Sequence, residues 1–184
     1  DLNNYQATDL NRRLIENAIT AVRNKDGLLP LNTLGDYASI SIGRGYKTTF
    51  QKQLGKLSKM SHYYTNNDIS SSQRNSLVRK LKNKEAVIIS FQDLNKSVKS
   101  RFGVRSRALS LVKELAKYTK VIVVNFGSPY ALKYFDNVDW LIEAYEENRV
   151  TQEVAAGAVF GTTRMTGRLP VTASANARFG DGTN

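Results

Sequence analysis

Four short apolar runs constrain the fold of this chain more than any other feature of its sequence. The runs are YASISIG (Tyr37 to Gly43), AVIISF (Ala86 to Phe91), KVIVVNF (Lys120 to Phe126) and VDWLIEAY (Val138 to Tyr145). Each run is nearly continuous rather than alternating, which is typical of strands that are covered on both faces. A weaker strand is predicted at SHYYT, residues 61–65. The sequence therefore predicts a buried sheet.

Helical patterns separate these runs. Apolar residues recur three or four positions apart in four groups: Phe50, Leu54 and Leu57; Leu77, Val78 and Leu81; Ala108, Leu109, Val112 and Leu115; Val154, Ala155, Ala158 and Val159. Strands that alternate with helices indicate an open parallel sheet with helices on both faces, joined by right-handed crossovers. We predict an α/β fold, a three-layer α/β/α sandwich with a mostly parallel sheet of five or six strands.

The two ends of the chain lie outside this alternation. One apolar stripe predicts a helix from near residue 8 to the stop signals in NKDG, residues 24–27; its members are Leu10, Leu14, Ile15, Ala18, Ile19 and Val22. The ending SANARFGDGTN is rich in turn-forming residues and is typical of a linker. We therefore assign residues 1–175 to a single α/β domain and residues 176–184 to a linker-like tail.

Composition excludes several classes of site. At 184 residues, 41% of them hydrophobic, the chain is long enough for one globular domain. The absence of cysteine excludes disulfides and thiolate metal sites. The single histidine, His62, excludes sites with two imidazoles and leaves at most one Ser-His-Asp arrangement. We interpret His62 as a surface or strand-end residue and expect no metal, no cofactor and no membrane segment.

Positive charge is concentrated in one part of the chain. Residues 44–107 contain 15 Lys and Arg but only Asp68, Glu85 and Asp93 as acids, which gives this stretch a net charge of +12. The whole chain carries +11, so the remainder is nearly neutral. Clustered cations attract nucleic acid, anionic glycans or acidic surfaces, and a basic binding module is therefore one functional hypothesis. No aromatic nucleic-acid motif accompanies the charge, so we prefer solvated helix faces and do not expect nucleic acid as a partner.

Ligands of open α/β sheets collect at the carboxyl ends of strands, and four segments follow the predicted strands there. The first is GRGYKTT, residues 43–49. It matches neither the Walker A pattern nor the dinucleotide fingerprint, which needs a third glycine where Thr48 stands. We prefer a turn followed by a helix that Thr48 or Thr49 caps. A phosphate or nucleotide site at Gly43 to Lys47 is the alternative.

The next two segments are polar loops. The loop from Gln92 to Arg105 contains acidic and basic residues that suit an anionic or sugar ligand. In NFGSPY, Ser128 suits a helix cap and Pro129 the first helical position. Together with the fourth segment, YEENRVT, these loops supply our candidates for the edge of a substrate site, which are Asp93, Arg101, Arg105, Ser128, Glu146 and Asn148.

The fourth segment contains two adjacent carboxylates, Glu146 and Glu147. Two carboxylates that act on one glycosidic bond approach it from opposite sides, about 5 to 10 Å apart. Adjacent residues of an extended strand point to opposite faces, so these two cannot flank one bond if the strand continues through them. We interpret the segment as a strand end before a helix that Asn148 or Thr151 caps.

Four segments, taken in order, resemble the carboxy-terminal domain of family-three glycoside hydrolases. They are ENAITAVRNKDGLLPL, VNFGSPYAL, AYEENRVTQEVAAGAVFG and TGRLPVTAS, and they span about residues 16–174. The helix that runs into LLPL and the GRLPV ending are specific together, whereas any parallel α/β domain would supply the middle segments. The resemblance implies a flavodoxin-like sandwich that packs against a TIM-like barrel, and the barrel carries the nucleophilic aspartate.

The resemblance also implies that catalysis takes place elsewhere. A TIM barrel needs roughly 250 residues, more than this whole chain, so we predict no catalytic residue here and no hydrolysis by this chain alone. In β-glucosidase-like members, a glutamate in the loop after the third strand of this domain reaches the barrel. The corresponding loop here, FQDLNKSVKSRFGVRSR, has no glutamate. This departure fits the β-N-acetylhexosaminidase-like branch, whose acid/base is a histidine with an aspartate in a barrel loop.

The expected role is therefore that of a non-catalytic accessory domain in a bacterial, retaining, β-N-acetylhexosaminidase-like enzyme. Such a domain packs on the barrel and lines one wall of the sugar site. The expected partners are the barrel, the glycan substrate and, as in some proteins of that branch, a downstream serine-hydrolase-like domain. The resemblance favours a periplasmic or cell-envelope location. The basic α/β module that binds nucleic acid or anionic glycan remains the alternative function.

Overall fold

The computed structural model describes residues 2–183. Helices and strands alternate in this part of the chain. Their order is α1 (Leu2–Ala18), β1 (Thr20–Asn24), β2 (Tyr37–Ile42), α2 (Thr49–Leu57), β3 (Met60–Thr65), α3 (Ser71–Leu81), β4 (Ala86–Phe91), α4 (Ser106–Leu115), β5 (Lys120–Asn125), β6 (Trp140–Glu143) and α5 (Arg149–Val159). Short 3₁₀ helices occupy Lys25–Gly27, Arg101–Gly103 and Pro129–Phe135.

The strands form one sheet in the order β1-β6-β5-β4-β2-β3. Strands β2 to β6 pair in parallel, and β1 pairs with β6 antiparallel at one edge. Counted among the parallel strands alone, the order is 2-1-3-4-5, which is the order of flavodoxin-like sheets. The prediction of a mostly parallel sheet is confirmed. The weaker strand predicted at SHYYT is β3, which forms the other edge of the sheet.

Helices cover both faces of the sheet. On one face, α3, α4 and the 3₁₀ helix at Pro129–Phe135 bury a core that includes Val78, Val112 and Phe135. On the other face, α2 and α5 pack against each other over Phe50, and α1 lies against α5. Every residue of β2 and β4 is buried, as expected for strands covered on both faces. The predicted three-layer α/β/α sandwich is confirmed.

The first helix ends earlier than its apolar stripe predicted. Helix α1 ends at Ala18, and β1 follows at once. Ile19 and Val22 continue the helical spacing, but they are buried in or beside an edge strand that pairs with β6. The Thr20 hydroxyl donates to the Ala18 carbonyl at 2.7 Å, a local bond that competes with helix continuation. The prediction of a helix through Val22 was wrong because pairing with β6 decides the structure there.

The end of the chain lies against the domain. Ala177 is fully buried, and the Thr183 amide donates to the Ala21 carbonyl at 3.0 Å on β1. The Leu169 amide donates to the Asp181 carbonyl at 2.8 Å. The described part of the expected linker therefore covers the outer side of β1, where a strand edge would otherwise expose its backbone groups. The domain boundary at residue 175 stays a prediction.

Candidate functional site at the carboxyl edge of the sheet

The loops after β2, β4, β5 and β6 lie side by side at one end of the parallel strands, which we call the carboxyl edge. The direction of strand order reverses between β2 and β4. In open α/β sheets, the crevice outside such a reversal is the usual ligand site. Whether this crevice is open or filled by side chains therefore decides whether a ligand can bind at the usual place for this topology.

Side chains of this chain fill the crevice. A Cβ atom on Gly43 would lie 2.1 Å from the Gln92 carbonyl oxygen, so the two loops touch. The Arg44 guanidinium donates to the Glu147 carboxylate at 2.8 and 3.2 Å and lies 3.3 Å from an oxygen of Asp93. The Asp93 amide also donates to Glu147, at 2.7 Å. We call Arg44, Asp93 and Glu147 the Arg44 cluster; it ties together the loops after β2, β4 and β6.

A buried row of amides supports the Arg44 cluster. The Ser41 hydroxyl donates to Gln92 Oε1 at 2.8 Å, and Gln92 Nε2 donates to Gln152 Oε1 at 2.9 Å. Gln152 Nε2 then donates to the Glu147 carbonyl at 2.9 Å. A fully connected buried network of this kind fixes its members in one arrangement. The loops on this side of the carboxyl edge are therefore held rigidly.

The GRGYKTT segment is a turn and a cap in the structure. Thr48 caps α2 by accepting a hydrogen bond from the Gln51 amide, and the Gln51 side chain accepts from the Thr48 amide in return. The Gly43 amide is bonded to the Thr65 carbonyl at 2.9 Å. The Gly43 amide is therefore paired and unavailable to a phosphate, and the Arg44 side chain occupies the crevice beside it. A phosphate site at Gly43 to Lys47 stays a prediction.

The open space of the carboxyl edge lies over the ends of β4, β5 and β6. It is a cavity of about 940 Å³, which is within the usual range of small-ligand sites. Its walls combine apolar, aromatic and charged side chains, among them Leu94, Lys96, Phe102, Phe126, Tyr130 and Lys133. We call this space the carboxyl-edge cavity. Such a mixed lining suits contact with a polar organic ligand or with another domain.

Two of the six predicted substrate-edge residues, Ser128 and Glu146, line the carboxyl-edge cavity. Ser128 also caps the 3₁₀ helix that follows it, because its hydroxyl accepts from the Tyr130 amide at 3.3 Å. Glu146 is exposed and accepts from Asn148 Nδ2 at 2.8 Å. Asn148 caps α5 by accepting a hydrogen bond from the Thr151 amide at 2.9 Å. Asn148 was one of the two residues predicted to cap this helix. Asn148 therefore orients Glu146 from outside the lining.

The other predicted residues lie away from the cavity lining. Asp93 belongs to the Arg44 cluster. Arg101 stacks over the Tyr134 ring at 4.6 Å from its centroid and donates to the Ser106 hydroxyl at 2.7 Å. Arg105 is exposed and precedes α4. The structure thus brings Ser128, Glu146 and Asn148 together but separates both arginines from them, and a substrate role for any of the six stays a prediction.

Sequence reasoning missed several residues of the cavity. Tyr130 and Lys133 belong to the 3₁₀ helix after Pro129, which we had interpreted only as a helix start. The Lys133 ammonium lies 5.8 Å from the centroid of the Phe102 ring, so it holds this wall through a cation–π contact. A lysine four residues after Pro129 was the available signal, but the direction of its side chain depends on the tertiary packing of the 3₁₀ helix.

The backbone turns immediately after β6. This strand ends at Glu143, and Tyr145 adopts a φ of +69°, so Glu146 and Glu147 are not part of an extended strand. Their side chains nevertheless have separate partners. Both line the carboxyl-edge cavity, but Glu147 is held in the Arg44 cluster, whereas Glu146 is exposed to solvent. The pair therefore supplies one free carboxylate to the cavity, and a retaining glycosidase needs two.

A buried acid lies behind this turn. Glu143 is fully buried, and its carboxyl group accepts from Asn125 Nδ2 and from the Tyr145 amide, both at 2.6 Å. Burial raises the pKa of Glu143 to about 8, although these hydrogen bonds act in the opposite direction. Within the described residues no cation pairs with it. Glu143 is therefore mostly neutral at pH 7 and is not a charged catalytic group.

The single histidine is a packed residue of β3 rather than a strand end. His62 Nδ1 lies 2.8 Å from the hydroxyl of Ser39, which is buried and accepts from Gln51 Nε2 at 3.0 Å. Burial, together with the charge of Lys47, lowers the pKa of His62 to about 4. A Cβ atom on Gly55 would lie 2.9 Å from the ring, so the imidazole packs closely on α2. Gln51 bonds the serine rather than the histidine, and among the described residues no carboxylate bonds His62, so this group is not a catalytic triad.

Two further observations concern residues 2–183 as a whole. In that range no group of three or more histidine and acidic side chains is arranged to hold a metal ion. The helices of the same range are all too short or too polar to cross a membrane.

Comparison with known proteins yields structural neighbours. No model of a protein family and no curated protein sequence matches the chain. A fungal multi-domain family-three β-N-acetylglucosaminidase superposes with a TM-score of 0.73 and 20% identity, over 90% of this chain and 19% of that one. The family-three β-N-acetylglucosaminidase of a Paenibacillus species superposes with a TM-score of 0.75 and 15% identity, over 92% of this chain and 33% of that one. The β-glucosidase of Listeria innocua in complex with glucose superposes with a TM-score of 0.71 and 15% identity, over 86% of this chain and 25% of that one.

Identities this low establish the fold alone. The chain spans about one fifth to one third of the length of these neighbours. Its fold is therefore the fold of one part of larger family-three glycosidases. At this level the resemblance indicated by the sequence motifs is confirmed.

Proposed function

We propose that this chain is the accessory α/β domain of a larger family-three glycoside hydrolase of the β-N-acetylhexosaminidase-like kind. In this proposal the carboxyl edge packs against a catalytic barrel and lines one wall of its sugar site. The observation that carries the proposal is the carboxyl-edge cavity, which offers groups for binding but only one free carboxylate, Glu146. A site of this composition binds and orients a sugar without hydrolysing it.

Exposed apolar residues around the carboxyl edge support a partner at this surface. Tyr46, Val98 and Tyr130 follow β2, β4 and β5, and their relative exposures are 60%, 65% and 49%. Aromatic residues with a polar tip are favoured where one side of a surface meets another protein or a sugar. Three loops that present such residues at one edge form a contact surface, which the proposal assigns to the barrel and its substrate.

The state of the long loop after β4 supports the β-N-acetylhexosaminidase-like branch. That loop contains no glutamate, and its one acid, Asp93, is tied to Arg44 at 3.3 Å. The nearest glutamate in contact with the loop, Glu147, is bound by the same arginine. An acid/base delivered by this chain would need a carboxylate free to reach outward, so the proposal places the acid/base in the barrel.

Hydrogen exchange tests the proposed docking. The comparison is between this 184-residue chain and the full-length gene product that contains it. We expect backbone amides of residues 92–105, 126–130 and 144–148 to exchange more slowly in the full-length protein, because the barrel covers the carboxyl edge. Amides of the last turn of α3, residues 78–81, serve as the control, because that turn leads into the start of β4 at the opposite end of the parallel strands. Equal exchange of the three loops in both proteins would refute docking through this edge.

A further inference from the structure

A second cavity lies at the opposite end of the parallel strands. It has a volume of about 860 Å³ and lies between α4 and the segment from Tyr134 to Trp140. We call it the amino-edge groove. A strand of six residues spans about 20 Å, so the groove is well separated from the carboxyl edge. The two cavities have no lining residue in common, and the inference below is independent of the proposed function.

The walls of the amino-edge groove are apolar and reach the core. They include Leu109 and Val112 of α4, Val121 of β5, and Val138 with Trp140 before and in β6. Val112 and Val121 also belong to the main core cluster on this face of the sheet. The Trp140 ring is fixed because its Nε1 donates to the Lys25 carbonyl at 3.0 Å. The groove is therefore a formed apolar site of a volume typical for small ligands.

The rim of the groove has an excess of positive charge. Its charged residues are Lys84, Lys113, Lys117, Lys120, Glu85 and Asp139. Lys84, Lys117 and Asp139 have partners outside this set, namely Asp36, Glu114 and Lys25, at 2.6, 2.6 and 3.0 Å. Lys113 and Lys120 form no salt bridge with any residue from 4 to 183 and are exposed. Two free ammonium groups thus stand above an apolar groove.

The helix accounts for only one of these two cations. Lys113 lies in the last turn of α4, where a positive charge also offsets the negative end of the helix dipole. Lys120 begins β5 and has no such role. Both lysines line the same groove, so an anionic head bound there is attracted by both charges, and the apolar part of the same molecule would remove the groove walls from water.

We propose that the amino-edge groove binds a small amphipathic carboxylate, a molecule with an apolar acyl or aryl body and one carboxylate head. The body lies against Val112, Val121 and Trp140. The head is held by Lys113 and Lys120. The volume of the groove is within the usual range of small-ligand clefts, which favours a small molecule over a peptide.

Trp140 gives a direct readout, since it is the single tryptophan of the chain and lines the groove. Dodecanoate is titrated into the 184-residue chain while tryptophan emission is followed. We expect a saturable change in Trp140 emission. Dodecanol and dodecyltrimethylammonium, with the same chain and a neutral or positive head, should bind at least about tenfold more weakly. No saturable change with dodecanoate, or equal affinity for all three probes, would overturn the proposal.

Variants separate the two halves of the proposed site. Lys113→Glu with Lys120→Glu should weaken dodecanoate binding at least about tenfold by reversing the charge at the head. The matched control is Lys52→Glu with Lys56→Glu on α2, which changes net charge equally on the other face of the sheet. Ala116→Phe, at an exposed position of the groove wall, should abolish binding by filling the space. Unchanged affinity in the groove variants, or an equal loss in the control, would contradict the proposal.

Discussion

Glu146 and Glu147 are neighbours in sequence whose surroundings give them different roles. Glu147 accepts from Arg44 twice and from the Asp93 amide, so it holds three loops together. Glu146 is exposed and has Asn148 as its hydrogen-bond partner. At the scale of single residues, the adjacency argument assumed an extended strand, and the turn at Tyr145 does not meet that premise. A substrate role for Glu146 stays a prediction.

The two acids form a matched pair for mutation. Glu147→Gln keeps the size of the side chain but removes its charge from the Arg44 cluster, and we expect it to lower the free energy of unfolding by about 1 to 2 kcal/mol. Glu146→Gln should change it by less than about 0.5 kcal/mol because that side chain is exposed. Urea unfolding of both variants provides the measurement. Equal stability of the two variants would show that the Arg44 cluster contributes nothing.

The raised pKa of the buried Glu143 leads us to predict an unusual pH dependence of stability. Its pKa is about 8 in the folded chain and 4.5 for an unburied carboxyl, so between these values the folded state holds one more proton. Stability from this group is fully present below pH 4.5 and is lost as the pH rises through 8. The chain should therefore lose about 2 kcal/mol from this residue between pH 6.5 and 8, since one pH unit corresponds to about 1.4 kcal/mol.

The Glu143→Gln variant isolates this effect. Glutamine does not ionise, so the difference in unfolding free energy between the variant and the parent chain should shift in favour of the variant as the pH rises from 6.5 to 8. His62, with a pKa lowered to about 4, contributes an opposite trend at lower pH and is present in both proteins. Urea unfolding across this range is the measurement. A difference independent of pH would mean that Glu143 is already ionised at pH 6.5.

At the scale of elements, the buried strands were predictable and the edge strand β1 was not. Runs such as AVIISF have no polar face, and burial on both sides follows from that alone. The residues of β1 have a spacing that fits a helix, and their state depends on β6, more than 100 residues later in the chain. Local patterns do not contain that information. The capping residues Thr48 and Ser128 were predictable because capping is a local property.

The tail offers a test at the same scale. A chain that ends at residue 175 loses the buried Ala177 and the hydrogen bonds from Thr183 to Ala21 and from Leu169 to Asp181. We expect its free energy of unfolding to fall by about 1 to 3 kcal/mol. The Leu169 amide should also exchange faster with solvent, while the Ile89 amide in the central strand β4 changes only with global stability. An unchanged stability and Leu169 exchange rate would support a free linker instead.

At the scale of the whole molecule, the sheet divides the basic stretch. Helix α2 lies on the face that contains α5, and α3 lies on the face that contains α4. The five lysines and arginines of these two helices, out of fifteen in residues 44–107, are therefore on opposite faces of the sheet. A nucleic-acid site needs its cations along one surface, where they meet successive phosphates. The sequence count of +12 could not reveal this division, because it ignores on which face each helix packs.

The division of charge predicts weak binding of nucleic acid. At physiological salt, duplex and single-stranded DNA should bind this chain no more tightly than about 10⁻⁴ to 10⁻⁶ M, the range of non-specific contacts. Fluorescence anisotropy at several salt concentrations provides the measurement. Submicromolar affinity with a steep salt dependence would instead support the alternative function, a basic binding module.

Sequence and structure contributed unequally to the candidate site. The loops that form the carboxyl edge were predictable, since the ends of parallel strands meet at one edge of the sheet. The exact lining of the cavity was not predictable. The Arg101 side chain stacks on Tyr134 rather than lining the cavity, and Lys133, a residue of the 3₁₀ helix, lines it instead. Those directions arise from packing against distant residues. The closed crevice at Arg44 also depends on Glu147, 103 residues further along the chain.

The central claim, that this chain is a non-catalytic part of a larger glycosidase, is tested most directly by hydrolysis of an aryl β-N-acetylglucosaminide. The release of the aryl alcohol is followed for equal molar amounts of the 184-residue chain and of the full-length gene product that contains it. The account predicts turnover by the full-length protein and none by the chain alone. Turnover by the purified chain, or none by the full-length protein on this or an aryl β-glucoside, would contradict it.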